Sequence, residues 1–178
     1  MAMIIVGIAD YKVSGDPKAI LITYALGSCI ALSLHDPVAG VGGLLHFMLP
    51  NAENGAERPG FNPAMFGDTG IPLLLREIQK LGANPRKLVA SLAGGSQILD
   101  QAGLFNIGKR NHVAAKNLLW KAGVLVRSEA VGGTTTRSFG LQVGSGQTWL
   151  KQIDSSAPSS TPADGLPKGH YVLSSTRG

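Results

Sequence analysis

The sequence predicts an α+β domain built mainly from short strands, and three observations carry that expectation. Glycine accounts for 24 of the 178 residues, which suits many tight turns and bulges better than a few long helices. Runs of aliphatic and β-branched residues recur between turn signals along most of the chain. Two stretches, near residues 70–81 and 108–122, repeat their apolar residues at helical spacing. Hydrophobic residues make up 44% and charged residues 15%, so the chain can bury a core and lacks the composition of a disordered protein. Its length suits one domain, expected over residues 1–153, and a tail over 154–178.

Taken in order, residues 3–9 and 18–23 read as strands separated by the turn-like Ser14-Gly15-Asp16-Pro17. Ser28 to Leu34 and Val41 to Leu49 form the two arms of a hairpin around Asp36-Pro37-Val38-Ala39-Gly40. Segment 51–64 has no period and many turn residues, and is expected to be a mobile loop. Ile71, Leu74, Leu75, Ile78 and Leu81 define a helix from Gly70 to Leu81, with Pro72 in its first turn and Gly82 as its stop. Lys87 to Leu92 is a strand ending at Gly94-Gly95. A second helix runs from Gly108 to Ala122, with Ala114, Leu118 and Ala122 on one face. Val124 to Ala130, Phe139 to Val143 and Thr148 to Ile153 are further strands, the last two joined through Gly144-Ser145-Gly146. Residues 154–178 concentrate Ser, Pro, Thr and Gly, and a flexible tail is expected.

A single cysteine, Cys29, excludes an internal disulfide and favours the cytoplasm. The opening ten residues lack a basic leader pattern, and their apolar run is far shorter than the roughly 20 residues of a membrane span, so no membrane insertion is expected. The net charge of +5 favours acidic partners. Basic residues are scattered apart from Pro85-Arg86-Lys87 and Lys109-Arg110, so nucleic acid is not indicated. The four histidines (His35, His46, His112, His170) and Cys29 show no metal-ligand spacing, and the glycine pairs are followed by no phosphate-loop pattern. Neither metal nor cofactor is expected.

Cys29 and His46 sit on opposite arms of the hairpin. A two-residue loop at Pro37-Val38 sets them directly opposite, and a four-residue loop, 37 to 40, sets them diagonally. Both registers put them on one face, with Cβ atoms about 5 Å or about 7 Å apart. A thiol is mostly protonated at neutral pH, and a neighbouring imidazole can stabilise its thiolate, so the pair has the makings of an activated nucleophile. Thr23 is the polar side chain nearest in sequence that could orient the imidazole. Gly27-Ser28 would let the backbone bend and aim N–H groups, that of Cys29 included, at a developing oxyanion. Against this stands the ordinary role of each residue: a free Cys in an apolar strand usually packs in a core, and a His between Leu45 and Phe47 is usually structural. The spacing across the hairpin brings the two readings level and leaves both open.

Thr23-Tyr24-Ala25-Leu26-Gly27-Ser28-Cys29, then Asp36-Pro37, then Gly42-Gly43-Leu44-Leu45-His46-Phe47-Met48-Leu49-Pro50 resembles the signature of the CheD chemoreceptor glutamine deamidases. Gly94-Gly95, the run Asn106 to Asn111, and Gly132-Gly133 with Arg137-Ser138 agree in order and separation, so the resemblance spans residues 3 to 153. It implies layered mixed sheets with flanking helices, similar to the catalytic domain of deamidating toxins. It also implies a Cys29-His46-Thr23 triad that hydrolyses receptor glutamines to glutamates with release of ammonia, a protein-glutamine glutaminase working in chemotaxis adaptation. The implied partners are chemoreceptor cytoplasmic helices as substrate and a CheC phosphatase, with the chain itself expected as a monomer. Ala25 stands where a glycine is common in the family, and Ala93 where an aromatic residue often precedes the glycine pair. A non-catalytic adaptor that binds receptor or CheC, and a hydrolase of receptor methyl esters using the same thiolate, are the alternatives that the sequence leaves open.

Overall fold

The computed structural model describes residues 2–53, 58–98, 104–153 and 171–174. Strands β1 (Ala2–Ile5), β3 (Ala19–Leu26), β8 (Thr136–Gln142), β9 (Thr148–Ile153) and β10 (Tyr171–Ser174) form one five-stranded sheet in that order. Strands β2 (Asp10–Ser14), β5 (Val41–Phe47), β4 (Ile30–Asp36), β6 (Val89–Gly94) and β7 (Leu125–Val131) form a second. Each sheet is mixed, since β1 runs parallel to β3 and β6 parallel to β7 while the other pairs are antiparallel. Helices α1 (Gly67–Lys80) and α2 (Ile107–Lys121) lie on the second sheet.

The period of two along β4 and β5 sends alternate residues to two different cores. Ile30, Leu32, Leu34, Leu45 and Phe47 meet Ile71, Leu74 and Ile78 of α1 and Ala115 and Leu119 of α2. Ala31 and Leu44 instead meet Leu21, Phe139, Leu141 and Leu150 of the first sheet. The result is a sheet, sheet and helix stack whose middle layer is covered on both sides, and every residue of β4 and β5 is buried. The layered α+β architecture expected from the sequence is the one found.

The hairpin joining β4 to β5 has the longer of the two expected loops. Asp36 pairs with Val41, leaving residues 37–40 outside the ladder. The buried Asp36 carboxylate accepts the backbone N–H groups of Val38 and Ala39 through one oxygen and that of Asn84 through the other, and the Gly40 N–H donates to the Asp36 carbonyl. That set of bonds, with Gly40 at φ 68°, closes a four-residue turn. β4 begins at Ile30, so Ser28 and Cys29 precede the strand that was expected to contain them.

Elsewhere the elements depart from expectation for local reasons. The run 3–9 is interrupted after Ile5, because the chain crosses to the second sheet through Ala9 at φ 54°, and Asp10–Ser14 pairs with β5 as a separate strand. α1 starts at Gly67, a turn earlier than Gly70, which places Pro72 in the second turn on the exposed side, where one missing N–H is tolerated. Pro85–Lys87 forms a 3₁₀ turn capped by the Asn84 side chain, which delays β6 to Val89. The expected loop 51–64 holds a second 3₁₀ turn at Pro63–Met65, and its residues 54–57 lie outside the described residues. The buried face of α2 is Gly108, Asn111, Ala115 and Leu119 rather than Ala114, Leu118 and Ala122, because a polar residue occupies the inner stripe. Within the expected tail, Tyr171–Ser174 adds an antiparallel strand beside β9, and 154–170 and 175–178 lie outside the described residues.

Candidate active site

His46 lies on the β5 face that meets the first sheet, and it is fully buried there. Thr23, on β3 of the opposing sheet, is equally buried, and its Oγ1 lies 2.8 Å from the Val6 carbonyl and 2.8 Å from His46 Nδ1. A hydroxyl has one proton and a carbonyl can only accept, so Thr23 donates to Val6 and accepts from Nδ1–H of the imidazole. The neutral ring therefore carries its proton on Nδ1 and its lone pair on Nε2. Nε2 is buried and has no hydrogen-bond partner. Burial lowers the pKa of His46 to about 4, so the ring is a neutral acceptor throughout the physiological range.

β3 is bulged to deliver Thr23 to this position. Thr23 pairs with Phe139 but Leu26 pairs with Arg137, so β3 holds one residue more than β8 between the two pairs. The extra residue turns through Ala25 at φ 56°, the left-handed region, while Tyr24 and Ala25 face solvent. A glycine would be unstrained at this position.

Cys29 sits just before β4, half-buried, against the core shared by the two sheets. The ladder places Ala31 opposite His46 and Ile30 opposite Phe47, so Cys29 is diagonal to His46 on the same face. The structure thus puts Cys29 and His46 on one face, as counting along the hairpin expects, and it joins Thr23 to His46 directly. It does not join Cys29 to His46 by a hydrogen bond, because Nε2 is unpartnered. Burial raises the Cys29 pKa, and the residue's own backbone N–H opposes the rise. The resting pair is consequently a neutral thiol beside a neutral imidazole, and not the thiolate–imidazolium pair that proximity alone suggested.

The turn carrying Cys29 is held by its carbonyls. Gly27 O accepts the Ser96 N–H at 2.8 Å, Cys29 O accepts the Gly95 N–H at 2.8 Å, and Ser28 O accepts from Asn111 Nδ2 at 2.9 Å. Gly94, at φ 105°, passes so close that a Cβ there would stand 2.2 Å from the Cys29 carbonyl oxygen. Arg137 Nη1 binds the Gly132 carbonyl at 2.7 Å and Ser96 Oγ at 2.9 Å, tying the loop after β7 to the one after β6. Asn111, Gly94-Gly95 and Arg137 carried no role in the sequence reading beyond their place in the family pattern. The usable signal was a carboxamide set in the small-residue stripe Gly108, Asn111, Ala115.

A cleft of about 380 Å³ opens beside this turn, lined by Gly27, Ser28, Gln97, Ile98, Phe105 and Ile107 among others. A larger one of about 580 Å³, bordered by Arg58 and Arg110, is lined by none of Thr23, Cys29 and His46. The smaller cleft is lined by the two residues that precede Cys29, though not by Cys29 itself. Among the described residues no cluster of three or more His, Cys, Asp or Glu side chains is placed to hold a metal ion, and no helix is long and apolar enough to cross a membrane.

A buried imidazole, fixed in one tautomer by a threonine, thus lies on the same face as the half-buried thiol of Cys29. The chain belongs to the CheD family: the family model described as CheD chemotactic sensory transduction matches residues 48–152. Three similar proteins bear the name "Probable chemoreceptor glutamine deamidase CheD", two of them with a number appended. That of Solibacter usitatus is 51% identical and covers 85% of this chain and 90% of its own. Those of Syntrophus aciditrophicus, at 42% identity over 85% and 94% of the two chains, and of Anaeromyxobacter dehalogenans, at 44% over 89% and 99%, are similar along nearly their whole lengths.

Proposed function

We propose that this protein deamidates glutamine side chains of chemoreceptors by acyl transfer through Cys29, with His46 as base and acid and Thr23 as its orienting group. The observation that carries the reading is the Thr23 to His46 Nδ1 bond, which leaves a lone pair on Nε2 with no other partner. As the Cys29 sulfur bonds to the carboxamide carbon, the thiol proton passes to Nε2, which a neutral imidazole can accept and an imidazolium could not. His46 then returns that proton to the nitrogen, which leaves as ammonia, and a thioester remains. Water, deprotonated by His46, hydrolyses the thioester to glutamate and frees the thiol. Each turnover adds one negative charge to a receptor helix and so acts on helix packing through electrostatics. The net charge of +5 favours encounter with acidic receptor bundles, more so at low salt.

The test is incubation of a purified receptor cytoplasmic domain with wild-type protein or Cys29→Ala, followed by peptide mass spectrometry for the gain of about one dalton that marks glutamine becoming glutamate. Wild type should convert glutamines. Cys29→Ala should bind receptor and convert none. Methyl-ester loss would give a different mass change in the same spectra. A wild-type protein that binds receptor yet never converts a glutamine, with or without a CheC phosphatase, would favour the adaptor role.

A further inference from the structure

Three consecutive carbonyls in the nucleophile turn are already occupied, and two of the three donors are backbone groups of the loop after β6. The third is a side chain. Asn111, wholly buried on α2, donates both hydrogens of its carboxamide nitrogen, one to Ser28 O at 2.9 Å and one to Met48 O at 2.7 Å. Ser28 immediately precedes Cys29, and Met48 lies two residues beyond His46. The β4–β5 ladder ends at Ile30 opposite Phe47. Asn111 therefore bridges the two chain segments just past the point where their own pairing stops, next to the residue that carries the thiol.

Fixing the Ser28 carbonyl fixes more than that oxygen. The peptide from Ser28 to Cys29 is planar and trans, so the Cys29 N–H must point opposite to the Ser28 carbonyl. With that carbonyl drawn onto α2, the Cys29 N–H faces away from the helix, on the residue that carries the sulfur. An N–H beside the attacking sulfur is where an acyl oxygen gains charge when the tetrahedral intermediate forms.

We infer that Asn111 is a positioning residue for acyl transfer: by clamping the Ser28 carbonyl it orients the Cys29 N–H as oxyanion donor. This deepens the reading above, since it rests on attack by Cys29 at an acyl carbon. It also gives α2 a part in the site that neither its charge nor its cap requires.

Two reagents separate this role from general support of the fold. With p-nitrophenyl acetate, the Cys29 sulfur bonds to the ester carbon, the thiol proton goes to His46, and p-nitrophenolate departs with the electron pair of the broken C–O bond. That path passes through an oxyanion. With iodoacetamide, sulfur displaces iodide at a saturated carbon and no oxyanion forms. In full-length Asn111→Ala the acylation rate should fall at least about tenfold, while the alkylation rate and its pH profile stay within about twofold of wild type. Leu119→Ala, on the same buried face of α2, should lower stability and leave the ratio of the two rates unchanged. If Asn111→Ala does not fold, Asn111→Ser is the milder truncation, its hydroxyl too short to span both carbonyls, and the same fall in the ratio is expected. With receptor as substrate, kcat should drop and KM should hold. Acylation and alkylation falling in parallel, or acylation unchanged, would overturn the inference. A wild type that acylates but converts no receptor glutamine would instead sink the deamidase reading and leave Asn111's role standing.

Discussion

Replacing Thr23 by Val removes one oxygen and keeps the shape, which makes it the sharpest test of how His46 is held. The lost hydroxyl serves two buried partners at once: it donates to the Val6 carbonyl and accepts from His46 Nδ1, each at 2.8 Å. Val6 is 1% exposed and His46 0%, so water replaces neither bond. Leaving a buried polar group unpaired costs about 1–3 kcal/mol, which puts the loss of folding stability for the two together at about 2–6 kcal/mol. The ring is then free to move its proton to Nε2, and Nε2 in that tautomer ceases to be a base. Whichever tautomer prevails, turnover should fall by about 100-fold or more, the scale of a general base that is lost or misaligned. Thr23→Ser keeps the hydroxyl and should retain most activity. Urea unfolding measures the first quantity, mass-spectrometric deamidation the second, and ¹⁵N NMR of the imidazole reports the tautomer. A Thr23→Val protein with wild-type kcat and its proton still on Nδ1 would show that the threonine does not orient the base.

Ala25→Gly should stabilise the protein by roughly 0.5–1 kcal/mol, the relief of a left-handed alanine at φ 56° less the entropy of glycine, and a lowered urea midpoint would argue against that backbone geometry. Stability should also depend on His46 in a defined window. Its folded pKa of about 4 lies below the ordinary value of about 6.5, so the unfolded chain takes up the proton first and the stabilisation, fully present above pH 6.5, is lost as pH falls from there toward 4. The full shift corresponds to roughly 3 kcal/mol, and His35, whose pKa burial also lowers, adds to it in the same direction. Replacing His46 by Gln should flatten that part of the pH–stability curve; an unchanged curve would place the dependence elsewhere.

Much of the site was legible because a hairpin is a local object. Once Asp36-Pro37 and Gly40 marked its turn, the parity of Cys29 and His46 followed from counting, and a four-residue loop was one of two registers that kept them together. Thr23 was nameable only by proximity and family pattern, because it reaches His46 from the other sheet and no spacing within one sheet reports a contact across two. Asp10–Ser14 was missed for a similar reason: a change of sheet inside an apolar run leaves no mark except Ala9, where no glycine signals the positive φ. The buried face of α2 lies one residue from the expected one because Asn111 turns inward, to two carbonyl partners that are 63 and 83 residues away in sequence. The raised pKa of Cys29 was not legible at all, since it depends on how completely the two sheets exclude water.

That exclusion decides what kind of chemistry the pair can do. An exposed cysteine and histidine exchange a proton before substrate arrives and wait as an ion pair, reactive toward any oxidant or electrophile that reaches the thiolate. Here the imidazole is desolvated and the thiol partly so, and the two pKa shifts run in opposite senses, the acid made weaker and the base made weaker. The proton then has reason to move only while sulfur is bonding to an acyl carbon, when the charge produced is taken up by the oxyanion rather than left on sulfur. A site of this kind reacts slowly with small electrophiles that form no tetrahedral intermediate and faster with acyl groups that fit beside the Cys29 N–H. In the deamidation proposed above, selectivity for a carboxamide thus rests on the packing of two sheets around one nitrogen that makes no hydrogen bond.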